Sequence, residues 1–260
     1  MAAKALRERE VFHLAFLRLL ARSVPPDTYV LKGGTNLRFF FGSIRYSEDM
    51  DIDVAGVAVH VLRERVMAVL GSSALAATMR TYGIEGIRPP DLSRAKQTET
   101  VQRFKVHLLT TAGEDLSTKV EFSRRGFDAP VRVEPVSATL LAAYRMPPLL
   151  VPHYTAEAAI RQKVRALASR RHPEARDVFD LFTLGSQPEA GRKGLLADFD
   201  AEDLEVARDR TFAIDYPRYR DGVVAFLSSE DRPAHDSSRV WDEIRLRAIA
   251  FLENASGREA

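Results

Sequence analysis

The sequence of 260 residues contains no cysteine. Disulfide bonds, zinc sites built on thiolates and cysteine nucleophiles are therefore excluded. The six histidines are scattered, and no two of them show the His-x-x-x-His spacing that indicates a zinc site. We therefore do not expect zinc-dependent chemistry.

Long apolar runs and a strong excess of one charge are also missing. No segment approaches the roughly 18 apolar residues that a membrane-spanning helix needs, and residues 1–10 contain no apolar signal core. We therefore expect a soluble, cytoplasmic protein with no membrane partner. The net charge is only +2, so a surface that binds nucleic acid must be a local patch.

A glycine pair near the N-terminus is the first feature that indicates function. Lys32-Gly33-Gly34-Thr35 follows a predicted buried strand, residues 29–31, and precedes a predicted helix, residues 36–41. Glycines let the backbone approach a phosphate closely, and the N–H groups at a helix start favour anions. Gly33, Gly34 and Thr35 are thus candidates for a triphosphate site, although a lone Gly-Gly pair also fits an ordinary tight turn.

The second feature is a run of alternating aspartates, Ser47-Glu48-Asp49-Met50-Asp51-Ile52-Asp53, within a strand predicted over residues 45–54. Carboxylates at positions i and i+2 of a strand share a face and can hold a divalent metal against a triphosphate. A solvated strand edge and a calcium loop are the alternatives. The calcium loop is disfavoured because no glycine or distal glutamate stands at the EF-hand spacing. Bound cations would relieve the repulsion among aspartates on one face, which favours the metal site.

Glu121 is a candidate third carboxylate. It alternates with Val120 and Phe122 on a strand predicted over residues 117–124, and so faces away from them. If this strand lies beside the aspartate strand, Glu121 joins Asp49 and Asp51, and either completes metal binding or deprotonates an attacking hydroxyl. By alternation alone, a solvent-facing residue is the more common case.

The chain changes character towards the C-terminus. Pro147-Pro148 and Pro152 mark a connector, so we predict a mixed α/β domain over residues 1–147 and a helical domain over residues 148–260. A basic helix is predicted over residues 155–171 and a second helix over residues 174–184. Asp177 and Asp180 lie on one face of the second helix and are placed to orient Lys163 by ion pairing.

Several arginines are candidates for nucleic-acid phosphates, because they cluster on the basic helix and after the Glu121 strand. A charge run is more often a solvated face, so both interpretations stay open. The candidate residues are Arg124, Arg125, Arg165, Arg170 and Arg171.

These motifs together resemble the AbiEii nucleotidyltransferase toxins of type IV toxin–antitoxin systems, to which the MenT toxins are similar. The resemblance is strongest over residues 29–54 and 157–184. The matching segments are Lys32-Gly33-Gly34-Thr35-Asn36-Leu37-Arg38, Arg45-Tyr46-Ser47-Glu48-Asp49-Met50-Asp51-Ile52-Asp53, and Lys163 with Arg176-Asp177-Val178-Phe179-Asp180-Leu181.

The resemblance implies an α/β (α+β) fold, with a polymerase-β-like nucleotidyltransferase core containing a mixed sheet and a helical C-terminal domain. Related toxins use Mg²⁺ and an NTP, often CTP or UTP, to add nucleotides to the 3′ end of tRNA, and a cognate antitoxin protein restrains them. Carried over, Gly34, Thr35 and Ser47 would lie at the triphosphate. Asp49 and Asp51 would bind metal, Lys163 would hold nucleotide phosphates, and Asp177 or Asp180 would complete the site.

Two other functions stay open at this stage. The same apparatus can transfer a nucleotide to a protein side chain or to the hydroxyl of a small molecule. A non-catalytic module that binds RNA or a partner protein is the third possibility. The clustered aspartates argue against that third possibility, because a site without a cation has no need for them.

Overall fold

The computed structural model describes residues 2–93, 95–127 and 129–255, apart from the side chain of Ala2. Within these residues the chain forms eleven α-helices and a seven-stranded mixed sheet, which confirms the predicted α/β fold class. It divides into two compact units, Met1–Phe40 with Tyr46–His153 and Phe41–Arg45 with Tyr154–Ala260. No described helix is long and apolar enough to cross a membrane.

The first unit contains the sheet and the helices that pack on it. Its elements are α1 (Ala2–Leu20), β1 (Tyr29–Lys32), α2 (Gly33–Phe40), β2 (Met50–Val54), α3 (Val59–Leu70), α4 (Ser73–Arg80), β3 (Ile84–Arg88), β4 (Val101–Thr110), β5 (Asp115–Ser123), β6 (Val131–Pro135), α5 (Ala138–Ala143) and β7 (Leu150–Tyr154).

The second unit is helical. It contains α6 (Ala156–Ser169), α7 (Ala175–Gly185), α8 (Ala201–Ala213), α9 (Tyr216–Gly222), α10 (Arg232–His235) and α11 (Ser238–Ala255), with short 3₁₀ turns at Pro188–Gly191 and Val224–Phe226. A threonine at the start of a helical pattern predicts an N-cap, and Thr155 is the N-cap of α6, since its side chain accepts a hydrogen bond from the backbone N–H of Ala158.

The strand order places the aspartate strand between the two other strands that carry candidate site residues. The order is β3-β4-β5-β2-β1-β7-β6. β2 pairs antiparallel with β1, which leads into the Gly-Gly motif, and parallel with β5, which carries Glu121. β5 in turn pairs antiparallel with β4.

One face of the sheet is apolar and the other is polar, because side chains alternate along each strand. Met50 and Ile52 of β2 are fully buried, as are Val120 and Phe122 of β5. Helices α1, α3 and α4 belong to the same apolar core. Burial of each such side chain contributes about 1.5–3 kcal/mol to folding, so the register that buries them also fixes the acidic and basic residues on the opposite face.

Three predicted elements differ from the structure. The aspartate strand begins at Met50 and not at residue 45, so Asp49 lies in the loop before β2. The proline-rich connector contains β7, which pairs parallel with β1; Pro152 misled the prediction because proline is rare within strands. The helical spacing of apolar side chains predicts one helix over residues 58–79, but the chain forms two helices there, divided at Gly71, and Ser72 caps the second.

A buried histidine connects α1 to the sheet. His13 is 2 % exposed, and its Nε2 lies 2.9 Å from Oγ1 of Thr118 on β5. Thr118 uses its one hydroxyl proton to donate to the backbone carbonyl of Glu48, at 2.6 Å. His13 must therefore donate from Nε2–H, which identifies the neutral tautomer. Burial, assisted by the charge of Arg9, lowers the pKa of His13 to about 3.

We predict that His13 makes stability fall with decreasing pH. Below about pH 6.5 the unfolded chain binds a proton at His13, whereas the folded protein leaves this site neutral until about pH 3. His13 therefore lowers the free energy of unfolding by up to about 1.4 kcal/mol for each pH unit in this range. Urea unfolding from pH 7 downward, compared with His13→Gln, checks this, because glutamine keeps a donor without titrating. Parallel stability curves for the two proteins would contradict it.

Candidate active site

The loop that carries Asp49 is held by three side-chain hydroxyls. Thr35 at the start of α2 and Ser47 both donate to the backbone carbonyl of Asp49, at 3.1 and 2.8 Å. Thr118 donates to the carbonyl of Glu48. These bonds fix the backbone next to Asp49, while its carboxylate stays 41 % exposed and contacts Nζ of Lys119 at 3.1 Å.

Asp51 is a partly buried carboxylate in the middle of the candidate site. It lies opposite Lys32 on one side and opposite Glu121 on the other, through the register of β2 with β1 and β5. Burial raises the pKa of Asp51, and the negative charges of Glu121 and Asp49 act in the same direction against the charges of Lys32 and Lys119. Burial is the largest of these effects, so the raised pKa reflects mainly the removal of this carboxylate from water.

The remaining acids near β2 have cationic partners. Nζ of Lys32 lies 2.5 Å from Oδ1 of Asp53, which is largely buried. Glu121 accepts a hydrogen bond from Nε of Arg103 at 2.6 Å, and Lys119 lies 3.6 Å from the same carboxylate. The register therefore brings Asp49, Asp51 and Glu121 to neighbouring positions on one face, with Asp53 engaged by Lys32.

Gly33 allows α2 to begin directly against Asp51. Its φ is +68°, in the left-handed region that favours glycine, and a Cβ built on it would lie 3.1 Å from Oδ2 of Asp51. The helix start and the aspartate strand therefore approach each other as closely as only glycine permits. Gly34 and Thr35 follow in the first turn of α2.

Helix α2 is anchored away from this start. Arg38 forms a salt bridge with the buried Glu10 of α1, with its Nε 2.7 Å from Oε1. Asn36 contacts Nδ1 of His153 at 3.0 Å, and the ring of His153 stacks on Phe40. The direction in which the N-terminus of α2 points is therefore fixed by buried contacts on both sides of the helix.

The donor chemistry of the first unit fits a divalent cation. Within the described ranges, no group of three or more His, Asp or Glu side chains is close enough to form a complete protein cage. Mg²⁺ is usually held by one or two carboxylates together with substrate phosphates, and does not require such a cage. Asp49 and Asp51 supply two carboxylates at positions i and i+2, and burial raises the pKa of Asp51.

The second unit contains a separate network of buried charges. Asp180 is fully buried and accepts hydrogen bonds from Arg45, whose Nη2 lies 3.0 Å from both carboxylate oxygens. Nζ of Lys163 lies 2.6 Å from Asp180 and 2.9 Å from Asp177. Although burial by itself raises the pKa of Asp180, Arg45 and Lys163 lower it below its usual value.

Lys163 stays charged in this network. Burial alone lowers its pKa, but the charges of Asp180 and Asp177 outweigh this effect and raise it. Arg170 completes the network, since its Nη1 lies 2.6 Å from Asp177. The structure thus brings Lys163, Asp177 and Asp180 together, as the pairing of the two helices predicts, and adds Arg45.

The arginines proposed for nucleic acid lie in different environments. The guanidinium of Arg124 is engaged with Gln102 and the carbonyl of Val57, and Arg170 is engaged with Asp177. The others are exposed: Arg125, Arg165 and Arg171.

Sequence reasoning missed several residues that hold the candidate site. Lys119 and Arg103 contact the acids directly, while His13 and Thr118 act through the loop backbone. Arg103 and Lys119 alternate with buried residues on β4 and β5, which was the available signal, but only the register of the strands reveals their partners. Arg45 could not be found from the sequence, because its partner Asp180 lies 135 positions later.

Comparisons with known proteins agree on the class of this fold. The chain is similar to MenT4, a nucleotidyltransferase toxin from Mycobacterium tuberculosis, with 19 % identity and a TM-score of 0.59 over 98 % of this chain and 86 % of the other. It is also similar to JHP933 from Helicobacter pylori, with 22 % identity and a TM-score of 0.55 over 97 % of this chain and 92 % of the other. No curated protein sequence matches.

The fold is therefore that of nucleotidyltransferases. A putative nucleotidyltransferase from H. pylori matches in the same way, with 22 % identity and a TM-score of 0.54 over 99 % of this chain and 96 % of the other. The family model for the nucleotidyl transferase AbiEii toxin of type IV toxin–antitoxin systems matches residues 15–254. The chain belongs to this family, which confirms the resemblance found in its motifs.

We predict that Gly33→Ala lowers the rate of nucleotidyl transfer in addition to lowering the stability of the protein. An alanine at positive φ costs roughly 1–2 kcal/mol of stability at any such position. Gly56 has a similar φ of +70° with nothing near its Cβ position, so Gly56→Ala is the matched control. We expect both variants to lose this stability in urea unfolding, and only Gly33→Ala to lose nucleotidyl transfer as well, because its Cβ displaces Asp51. Equal activity of the two variants would contradict this.

We further predict that Asp180→Asn destabilises the protein by about 3–5 kcal/mol, because it leaves the buried charges of Arg45 and Lys163 poorly compensated. Asp198, which pairs with Arg165 and Arg161 at the surface and is 46 % exposed, gives the control. Asp198→Asn should change stability by no more than about 1 kcal/mol. Chemical unfolding measures both, and similar values for the two variants would refute the structural role of Asp180.

Proposed function

We propose that this nucleotidyltransferase toxin transfers an NMP from an NTP to the 3′ end of tRNA in a Mg²⁺-dependent reaction, and thereby blocks translation. The observation that supports the chemistry is the juxtaposition of Asp49, Asp51 and Glu121 beside the start of α2. The family resemblance supports tRNA as acceptor and CTP or UTP as donor.

Asp49 and Asp51 are the proposed metal ligands, because Asp53 is engaged by Lys32. Mg²⁺ bound there would neutralise charge on the nucleotide phosphates. The N–H groups at the start of α2, around Gly33 and Gly34, would receive the triphosphate. Thr35 and Ser47 hold the Asp49 backbone in the structure, and we propose that they also border the triphosphate.

The proposed reaction is an in-line displacement at phosphorus. The 3′-hydroxyl oxygen of the acceptor forms a bond to the α-phosphorus, and the bond from that phosphorus to the bridging oxygen breaks, so that pyrophosphate leaves. Glu121 is the proposed acceptor of the hydroxyl proton, because it lies next to Asp51 on the neighbouring strand. Lys163 would hold nucleotide phosphates as a point charge, positioned by Asp177 and Asp180.

The family also implies a partner protein. We propose that a cognate antitoxin restrains this activity, and that the protein acts in the cytoplasm, where its tRNA and NTP substrates are found. Arg125, Arg165 and Arg171 are exposed and stay candidates for contact with tRNA.

The decisive experiment is transfer of α-phosphate-labelled nucleotide to total tRNA with Mg²⁺, for each NTP in turn. We expect label on tRNA with a pyrimidine NTP, and loss of at least about a hundredfold in rate with Asp49→Asn, because the charge that holds the cation is removed. Asp27→Asn removes an exposed carboxylate elsewhere in the same unit and should leave the rate unchanged.

The alternatives give different results in the same assay. Label on protein or on a small molecule in a cell lysate, with none on tRNA, would replace the acceptor but keep the enzyme. Full transfer by Asp49→Asn would refute the proposed site. Absence of metal-dependent NTP binding would indicate a non-catalytic module.

A further inference from the structure

A row of basic side chains lies on the polar face of the sheet beside Asp49. We call it the basic strip and define it as Lys96, Arg103, Lys105 and Lys119. Lys105 of β4 lies directly opposite Lys119 of β5 in the strand register. Two like charges in directly opposed positions destabilise a strand pair, so a bound anion would be favourable there.

Two members of the basic strip have no acidic partner. Lys119 pairs with Asp49 and Glu121, and Arg103 pairs with Glu121. Within the part of the chain that the structure describes, no acidic side chain forms a salt bridge with Lys96 or Lys105. Lys96 is nevertheless held in place, because its carbonyl accepts a hydrogen bond from the backbone N–H of Arg103 at 2.8 Å.

The basic strip and Asp49 line the same pocket. Its volume is about 440 Å³, and Ser117 lies on the same wall. This volume falls within the range of roughly 300–1,000 Å³ that is usual for ligand pockets. Because the four basic side chains outnumber Asp49, the one acid among the described lining residues, the chemistry favours a phosphate-bearing ligand that reaches the aspartate.

The strand order indicates whether the basic strip faces the phosphates of the nucleotide or those of the acceptor. α2, the proposed triphosphate site, follows β1, whereas the basic strip lies on and beside β4 and β5. In the order β4-β5-β2-β1, the aspartate strand therefore separates the two phosphate-binding features. A nucleotide bound at α2 would present its α-phosphate at β2, and an acceptor would have to approach from the other side.

We propose that the basic strip binds the phosphate backbone of the RNA acceptor next to its 3′-hydroxyl. This inference rests on the proposed function, and it assigns the acceptor to a surface of the first unit. The two unpaired lysines bind backbone phosphates without reading base sequence. Lys119 and Arg103 hold Asp49 and Glu121 while the same pocket receives the acceptor.

The test is RNA binding without nucleotide, measured by fluorescence anisotropy with a short 5′-labelled single-stranded RNA. The variant is Lys96→Gln with Lys105→Gln, neither of which contacts the candidate carboxylates. The control is Arg22→Gln with Arg80→Gln, which removes two exposed charges from the helical side of the same unit. Thermal unfolding of all three proteins checks that they are folded.

We expect the lysine variant to bind RNA about 25-fold more weakly at about 0.1 M salt, because each phosphate contact with a single strand contributes about 0.7 to the slope of log K against log salt. That slope should become shallower by about 1.4, while the control matches the native protein. The KM for the NTP in the transfer assay should stay unchanged.

Other outcomes would overturn the inference. One is a lysine variant that binds RNA with native affinity and native salt slope. Another is a native protein that does not bind RNA. A raised KM for NTP with unchanged RNA affinity would assign the basic strip to the nucleotide. Failure of the proposed function is a separate result, namely the absence of nucleotide transfer by the native protein, since RNA binding is measured without any NTP.

Discussion

The first unit depends on the parallel pairing of β2 with β5, which places Asp51 opposite Glu121. The pairing is enforced by burial of Met50, Ile52 and Phe122 on the other face, since a shift by one residue would exchange the two faces. Hydrophobic burial therefore holds together carboxylates that repel each other. Lys32, Lys119 and Arg103 offset the repulsion, while burial still raises the pKa of Asp51.

In the second unit, the acids are surrounded by cations. Its acids, Asp177 and Asp180, are buried among cations, and Arg45 and Lys163 lower the pKa of Asp180. Removing such groups from water is costly, and only good geometry with several hydrogen bonds offsets that cost. The two-pronged contact of Arg45 with Asp180 provides such geometry, and it leaves Lys163 charged at a fixed position. A lysine that binds phosphate must stay charged and must have a fixed position. The same network of buried contacts gives Lys163 both properties.

Much of this could be predicted from the sequence, and the failures have physical reasons. The Gly-Gly motif, the aspartate run and the α6 cap are local patterns, so their residues indicate strand, helix start and cap directly. The start of β2 was wrong because Thr35 and Ser47 capture the carbonyl of Asp49 and end the strand pairing there. β7 was missed because a proline in a short segment argues against a strand, whereas pairing with β1 outweighs it. The partners of Glu121 follow from strand register, which one sequence does not specify.

Successive strands of the sheet carry charged groups of different kinds. β1 leads into a helix start suited to phosphates, β2 carries the aspartates, and β5 with β4 carries the acid and the bases beyond them. Phosphate groups on both sides of the aspartates would meet positive potential, while the centre is negative and favours a cation. The hydrogen bonds from His13 to Thr118 and from Thr118 to the carbonyl of Glu48 connect the apolar core to the loop before β2. They fix that loop from the apolar side of the sheet. The geometry of the site therefore depends on the same packing that stabilises the fold.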